Sequence, residues 1–286
     1  YGNIVVYHRS WYFLKNEHNV SDKSQVGHLL NTSYSHIRAF EKQLTDDGYV
    51  LLKYFVHVSK KQQKENMEKL NKVYGKNWKK LDLRFKGILS GFLGSRKQIE
   101  IVQDFIRDFR SDDTKVIIDP VMGDNGKPYP TYTDDMCMAM KDLVKYADIL
   151  TPNLTEACIL TDTPYTPETF VKKDYEALLM KIAEYGAKKI VITGIDSGIF
   201  LTNYIYDTDK GIYTTRQKRV GHVRSGTGDV FSAIIAADAV HDIDFRESVK
   251  RASSFVKKCI EVTETFDIPP TDGVCFEEVL HTLKCN

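Results

Sequence analysis

Long apolar runs are missing from the sequence, which argues against a protein anchored by transmembrane helices. No apolar run reaches the length of a membrane span. The first twenty residues carry Arg9, Lys15 and Glu17 where a signal peptide would have an apolar centre. Cysteine is scarce: there are five residues, an odd number, and no pair has metal-ligand spacing, which favours reduced thiols. These absences predict a cytoplasmic protein that does not enter a membrane.

Net charge is also low, but it is unevenly distributed along the chain. The whole sequence carries +1, whereas residues 1–80 hold 14 Lys+Arg and 7 Asp+Glu, and the remainder holds 26 and 32. A basic segment of this kind would favour an anionic ligand. A solvated helix face formed by Lys60, Lys61 and Lys64 explains the same charge equally simply. We place the boundary at the end of residues 74–80, which predicts an N-terminal segment over 1–80 and a domain over 81–286.

From residue 86 onward, short apolar runs alternate with stretches that have helical spacing. This alternation predicts βαβ units and an α/β fold with a mostly parallel sheet. The predicted strands are 86–90, 115–119, 148–151 and 189–193, followed by a hairpin over 198–206 and 211–216. The predicted helices are 95–110, 133–146, 153–161, 168–185, 229–241, 245–263 and 274–284.

Small, polar and acidic residues follow the predicted strands at the points where each strand ends. Ligands bind at the carboxyl ends of the strands in open parallel sheets, so these segments are the candidate site. The segments are DPVMGDNGKPY (119–129), TPNLTEA (151–157), TG (193–194) and SGTGDVF (225–231).

The segment SGTGDVF is the most informative of the four. Gly226 and Gly228 allow a tight turn and close approach of the backbone to a ligand. A helix beginning near Asp229 would direct its free N–H groups at that turn and favour negative charge there, as a phosphate or oxyanion site does. Asp229 could then accept the proton of an attacking hydroxyl. The alternative is that Asp229 only caps the helix, which is a common use of aspartate.

Oxygen donors suited to a divalent cation occur at two of these strand ends. Asp119, Asp124, Asn153 and Glu156 are hard ligands, and magnesium takes few carboxylates together with water and phosphate oxygens. A helix start explains two of them without a metal, with Thr151 or Asn153 as the cap and Glu156 in the first turn. Their joint occurrence at successive strand ends favours the functional interpretation.

The order and spacing of these strings resemble the pyridoxal/pyridoxamine kinases of the ribokinase superfamily. The related pyrimidine kinases of vitamin B1 synthesis share a DPVM-like string but usually have Cys where Asp229 stands. Sugar kinases of the superfamily usually lack DPVMG. The resemblance covers residues 81–275 and implies a ribokinase-like fold. It rests on SGFLGS (90–95), DPVMGDNGKPY (119–129), TPNLTEA (151–157), VITG (191–194) and SGTGDVF (225–231).

The resemblance implies a role for each matching residue at the reacting end of the nucleotide. Asp229 would be the catalytic base that activates the hydroxymethyl group of the substrate. Its three predecessors, Gly226, Thr227 and Gly228, would form the anion hole. The metal would be magnesium, with potassium as a further candidate cation.

For the rest of ATP, the resemblance implies a set of contacts along the strand ends. Asp119 would lie near the phosphates and the metal. Asn153 and Glu156 would orient magnesium, partly through water. The remaining expected contacts are Thr151, Thr193 and Gly194 with the phosphates, Tyr129 on a flap over the nucleotide, and Phe92 on the substrate side, where core packing is its alternative.

The first 80 residues do not continue this family's pattern. The Gly-rich first strand end and the Ser-Thr-His-Thr-Gly run of the B6 kinases are absent. Instead, residues 1–12 and 36–65 resemble part of the family-two polyphosphate kinases, which are P-loop enzymes. That match lacks the Walker A loop, and His8 stands where the family usually has Asp. We therefore expect the segment to be inactive by itself.

The expected function is ATP- and magnesium-dependent phosphorylation of pyridoxal, pyridoxamine or pyridoxine, with a small molecule and no nucleic acid as partner. Family members are usually dimers, which makes a homodimer an expectation here. Two other hypotheses stay open. The chain could bind nucleotide without catalysis, because the substrate half is replaced, or it could take phosphate from polyphosphate.

Overall fold

A computed structural model of the chain describes residues 83–266 and 268–283. The chain divides into two units, Tyr1–Glu68 and Lys69–Asn286, and every described residue lies in the second. The basic segment, the boundary at 74–80 and the strings that resemble polyphosphate kinases lie outside the described residues, so the division at residue 80 stays a prediction.

The described part is built on a six-stranded sheet with the spatial order β1-β2-β5-β6-β7-β8. Strands β1, β2, β5 and β6 run parallel to one another, and β6, β7 and β8 form an antiparallel meander. This confirms the predicted α/β fold and the predicted hairpin. The strands are β1 Gly87–Ser90, β2 Lys115–Ile118, β5 Ile149–Leu150, β6 Lys189–Ser197, β7 Phe200–Asp207 and β8 Gly211–Lys218, with a separate hairpin of β3 Gly123–Asp124 and β4 Lys127–Pro128.

Six α-helices within residues 83–283 cover the sheet, and side-chain caps fix where several of them begin. Ser95, Thr133 and Asp244 each accept a hydrogen bond from the backbone N–H three residues later, which satisfies a donor that the helix leaves unpaired. The helices are α1 Arg96–Phe109, α2 Asp134–Val144, α3 Leu154–Leu160, α4 Lys172–Ala183, α5 Thr227–Val240 and α6 Phe245–Thr263.

The helix predicted at 274–284 is wrong as an α-helix. The structure has two short 3-10 helices near the end of the chain, Pro270–Asp272 and Glu277–Thr282. Val279 is the one buried residue of the second. An α-helix in a small domain depends on a buried apolar face more than on propensity, and a single buried side chain does not supply one.

Each face of the sheet packs on its own hydrophobic core. Val116 and Ile118 point to the core shared with α1 to α4, whereas Ile117 between them points to the core shared with α5 and α6. All three are completely buried, and burying each side chain contributes roughly 1.5–3 kcal/mol. A strand covered on both faces therefore reads as a continuous apolar run. Among the described residues, no helix combines the length and apolarity that crossing a bilayer requires.

Candidate active site

The glycine turn at the start of α5 forms one wall of the candidate site. Gly226 is the residue before the helix and has φ 77°, in the left-handed region, where a side chain would be strained. The helix begins at Thr227, two residues earlier than predicted, so that Asp229 is the third residue of the first turn. The interpretation of Asp229 as the helix cap is therefore wrong. Its side chain is exposed and turns back toward Gly226, where an added Cβ would lie 4.0 Å from Asp229 Oδ2.

Asp229 lies where α5 meets the ends of β1 and β2. A Cβ atom built on Gly91 would lie 3.7 Å from Asp229 Oδ1, and one built on Gly228 would lie 3.8 Å from Asp119 Oδ2. Asp119 follows β2 directly, and its N–H donates to Ser90 O at 2.8 Å. The two carboxylates, which stand 110 positions apart in sequence, are thus neighbours across the glycine turn.

Burial and charge both act on Asp119. The residue is 5% exposed, and its burial, together with the nearby charge of Asp229, raises the pKa of its carboxyl from 3.8 to about 7. The nearby hydroxyl groups of Ser232 and Thr151 oppose this rise. Ser232 was not predicted; the signal for it is its position three residues after Asp229, on the same side of the helix.

The start of α3 supplies a second pair of polar side chains. Asn153 Oδ1 accepts from the N–H of Glu156 at 3.0 Å, and Glu156 Oε2 accepts from the N–H of Asn153 at 2.7 Å. This is a capping box, so the helix-start interpretation of these two residues is confirmed. Glu156 Oε1 also accepts from the N–H of Met122 at 3.2 Å, which ties the helix to the segment after β2.

Glu156 is nevertheless an unusual capping residue, because its carboxylate is buried next to another one. It is 3% exposed, and burial, followed by the charge of Asp119, holds the pKa of its carboxyl well above the usual range. A cation would stabilise the ionised form of two buried carboxyls held this close together, because it offsets their mutual repulsion.

The donor set fits magnesium brought by a nucleotide better than a metal held by protein alone. In the described part of the chain, no group of three or more His, Cys, Asp or Glu side chains could hold a metal ion. Magnesium commonly takes one or two carboxylates and completes its shell with water and phosphate oxygens. Asp119 suits direct contact, whereas both oxygens of Glu156 already accept backbone hydrogen bonds. Asp124 binds its own turn, accepting from the N–H of Asn125 at 2.8 Å.

A small hairpin, β3–β4, projects over this group of residues and was not predicted. Asn125 and Gly126 at its tip have φ of 50° and 75°, the pattern of a tight type I′ hairpin turn. The string Asp-Asn-Gly is the sequence signal that could have found it. The N–H of Gly126 donates to Thr155 Oγ1 at 2.8 Å, and Asn153 Nδ2 donates to Gly123 O at 2.9 Å. The first turn of α3 therefore holds the hairpin in place.

Two predicted aromatic residues lie at the rim of the site. Tyr129 follows the hairpin and is 37% exposed. Partial burial raises the pKa of its hydroxyl, and the charges of Asp124 and the site carboxylates act in the same direction. Phe92 is 48% exposed, so the alternative that it packs in the core is wrong. Phe92 directly follows Gly91, and its ring centre lies 6.1 Å from that of Tyr132.

The remaining predicted residues close the site along β5 and β6. Thr151 follows β5 and is buried. Thr193 forms a parallel bridge with Asn153, and its N–H donates to Pro152 O at 2.9 Å. Gly194 has φ 70° and is exposed, and a Cβ built on it would meet nothing within 4 Å. The structure thus brings the four predicted segments to one edge of the sheet, although Thr193 and Gly194 lie within β6, which continues to Ser197.

A family comparison agrees with this geometry. The model of the phosphomethylpyrimidine kinase family matches residues 68–273, which is most of the chain. The chain belongs to the phosphomethylpyrimidine kinase family. A polyphosphate kinase 2 model matches residues 1–87 of this family member, which confirms the second resemblance seen in the sequence.

Solved structures with the same fold include members of both branches of the family. A putative phosphomethylpyrimidine kinase from Bacteroides thetaiotaomicron is 31% identical, with a TM-score of 0.72 and 76% of each chain covered. Its orthorhombic crystal form with pyridoxal has a TM-score of 0.71. The pyridoxal kinase from Lactobacillus plantarum is 26% identical, with a TM-score of 0.65 and coverage of 74% of this chain and 75% of that one.

Curated relatives match this family member over only part of their length. The hydroxymethylpyrimidine/phosphomethylpyrimidine kinase of Aquifex aeolicus is 25% identical over 182 residues, which is 63% of this chain and 69% of that protein. The pyridoxal kinase PdxY of Corynebacterium diphtheriae is 26% identical over 190 residues, 64% of this chain and 65% of that one. A relative from Schizosaccharomyces pombe is covered over 49% of its length.

A cavity of about 500 Å³ lies away from the strand ends, at the amino ends of β2, β5 and β6. Its arginines are already engaged. Arg107 binds Tyr146 Oη and Asp104, and Arg110 donates to Asp148 Oδ1 at 2.8 Å. The carboxylates of the candidate site are not among its lining residues, so we do not assign the chemistry to it.

Proposed function

We propose that the chain transfers the terminal phosphoryl group of ATP to the hydroxymethyl group of pyridoxal, pyridoxamine or pyridoxine. One observation carries the proposal. An exposed carboxylate, Asp229, stands in the first turn of a helix behind a left-handed glycine, with a buried carboxylate, Asp119, beside it. This arrangement supports a role for Asp229 as a base beside a turn that could bind phosphate.

In the proposed reaction, the substrate oxygen attacks the terminal phosphorus as Asp229 accepts the hydroxyl proton. The bond from phosphorus to the bridging oxygen of ADP breaks, and ADP leaves with that electron pair. The N–H groups at Gly226, Thr227 and Gly228 face the developing negative charge, which the dipole of α5 also stabilises. A magnesium ion held by Asp119, and by Glu156 through water, would supply charge neutralisation between the phosphates.

The other residues take positioning roles in this proposal. Thr151, Asn153, Thr193 and Gly194 lie along the phosphates, because they form the same strand-end surface. Tyr129 covers the nucleotide from the hairpin. Phe92 contacts the ring of the acceptor, since it is exposed one residue beyond the glycine that faces Asp229.

A vitamin B6 acceptor is favoured over a pyrimidine by two observations. The resemblance implies Cys in place of Asp229 in the pyrimidine kinases, and this chain has Asp. A structure that is 31% identical to this chain also occurs with pyridoxal. We propose ATP and magnesium as cofactors, with potassium as a further candidate cation, and a homodimer in the cytoplasm.

Polyphosphate is the second candidate donor, and the match of residues 1–87 to polyphosphate kinase 2 favours it. Nucleotide binding without turnover is the third possibility, because the chain spans about half of one curated relative. Each predicts a different outcome. A B6 kinase uses ATP, the second function uses polyphosphate in place of ATP, and the third gives ATP binding with no product.

The test is to measure transfer to pyridoxal with ATP and with polyphosphate as separate donors, and to measure ATP binding by calorimetry. With ATP, Asp229→Asn should lower turnover by about two to four decades because general-base catalysis is lost, with ATP affinity nearly unchanged. Glu247→Gln, an exposed carboxylate in the first turn of α6, is the matched control and should keep wild-type turnover. Unchanged turnover in Asp229→Asn would contradict the assigned role.

A further inference from the structure

Strand β6 contains an irregularity at Thr193 and Gly194, two residues of the candidate site. Ile192 pairs with Tyr204, and Ile195 pairs with Thr202. Two residues of β6, Thr193 and Gly194, therefore stand opposite one residue of β7, which is a β-bulge. The bulge separates β6 from β7 locally, and it leaves Thr193 free to bridge to the segment after β5.

Asn203 is the residue of β7 that faces this bulge. Its side chain replaces the backbone bond that the bulge removes, because Asn203 Oδ1 accepts from the N–H of Gly194 at 3.0 Å. Its Nδ2 group donates to Ser253 Oγ at 2.8 Å and lies 3.5 Å from Thr215 Oγ1. Ser253 in turn donates to Val249 O at 2.7 Å. The amide is thus held from behind by α6.

The buried polar side chain of Asn203 stabilises the exposed turn at Gly194. Asn203 is 6% exposed, whereas Gly194 is exposed and has open space where its Cβ would be. A buried amide is costly unless it is bonded, and here its bonds converge on the conformation of Gly194. The bond to Gly194 ends at the surface that would receive the nucleotide in the proposed function.

We infer that Asn203 is a positioning residue for nucleotide binding: it holds the Thr193–Gly194 turn in the shape that receives the phosphates of ATP. The identity of the ligand in this inference rests on the proposed function, whereas the contacts of Asn203 are independent of it. Asn203 itself does not touch the reacting atoms. Its effect should therefore appear in the affinity for ATP and not in the affinity for the acceptor.

The decisive variant is Asn203→Ala in the full chain, with magnesium ATP binding measured by calorimetry. Removing the acceptor leaves the N–H of Gly194 without its partner and frees the turn, so the Kd for ATP should rise about tenfold. The KM for pyridoxal should stay within about twofold of the wild type. Ser253→Ala keeps the bond to Gly194 but removes its support, and should raise the Kd for ATP by about two- to threefold.

The matched control is Ser197→Ala. Its hydroxyl joins the same two strands through Thr202 Oγ1 at 2.9 Å, but it does not contact Gly194. This variant should keep the Kd for ATP of the wild type, and it should lose less thermal stability than Asn203→Ala because Ser197 is exposed. An equal rise of the Kd in Ser197→Ala would overturn the inference, because the effect would then be general loosening of the hairpin.

The remaining outcomes separate the inference from the proposed function. Wild-type binding of ATP without phosphorylation of pyridoxal would refute the proposed function and leave the binding comparison decisive for Asn203. A wild-type protein that does not bind ATP would overturn both. If Asn203→Ala does not fold, Ser253→Ala decides, and an unchanged Kd in that variant overturns the inference.

Discussion

Replacing Asp119 by Asn should make the protein more stable at high pH, although Asp119 belongs to the proposed site. Burial, helped by the charge of Asp229, raises the pKa of the Asp119 carboxyl from 3.8 to about 7. Between about pH 4 and about pH 7, the folded state therefore holds a proton that the unfolded chain has released. The stability that this proton gives is fully present below about pH 4, and it is lost as the pH rises through about 7.

The expected size follows from the two pKa values. They differ by about three pH units, and each unit corresponds to about 1.4 kcal/mol, so the full effect is about 4 kcal/mol as an upper bound. Between about pH 5 and about pH 8.5 the wild type should lose about two thirds of it, near 3 kcal/mol. Asn cannot ionise, so this component disappears from Asp119→Asn. Its amide needs an acceptor, which costs about 1 kcal/mol at every pH.

The assay is urea unfolding of the ligand-free protein at both pH values, followed by far-ultraviolet circular dichroism. Tryptophan fluorescence would not serve, because Trp11 and Trp78 both lie in the segment before residue 81. The variant should be about as stable as the wild type near pH 5 and clearly more stable near pH 8.5. Asp124→Asn, which removes an exposed carboxylate from the same strand-end segment, is the control and should follow the wild type. Parallel pH profiles for Asp119→Asn and the wild type would refute the reasoning.

Three further predictions concern two glycine turns at the site and the His222–Glu264 contact at the end of α6. Gly226→Ala should lower the free energy of unfolding by about 1–2 kcal/mol because of its φ of 77°. A steric clash adds nothing, since an added Cβ meets nothing closer than 4.0 Å. Urea unfolding measures this loss of stability, and turnover measures its effect on the proposed reaction. Gly126→Ala should weaken ATP binding in calorimetry, since its Cβ would lie 2.5 Å from Tyr165 Cδ1, and adding Tyr165→Ala should restore only the steric part. Glu264→Gln should flatten the acid limb of the urea midpoint, because hydrogen bonds from His222 lower the pKa of Glu264 to about 2, so its stabilisation is present above about pH 4.5 and lost as the pH falls toward 2.

The sheet and the position of the candidate site could be predicted because both follow from local patterns. Buried parallel strands are continuous apolar runs, and β2 and β6 were visible for that reason. Once the strands are placed, the carboxyl-end rule gathers Asp119, Thr193 and Asp229 at one edge without knowledge of any contact. The structure confirms this gathering.

The features that could not be predicted depend on pairs distant in sequence. Nothing local to Glu156 shows that it also accepts from the N–H of Met122, 34 positions earlier. The bond from Gly194 to Asn203 exists only because a bulge shifts the register of β6, and a bulge leaves no clear mark in a single sequence. The predicted C-terminal helix failed for the opposite reason. Its local pattern was adequate, but the fold gives the 3-10 segment around Val279 little apolar surface to cover.

The two aspartates at the glycine turn have the same chemistry but opposite surroundings, and this difference supports the separate roles that we propose for them. Asp229 is exposed in the first turn of α5, where the helix dipole favours its negative charge. Asp119 is buried, with Glu156 as a second buried carboxyl nearby, so its charge is costly until a cation arrives. In the proposed reaction, an incoming hydroxyl reaches Asp229, whereas Asp119 gains most from the magnesium that would accompany a nucleotide. In this proposal Asp229 acts as the base, and the repulsion among the buried carboxyls would be relieved when the nucleotide and its cation enter.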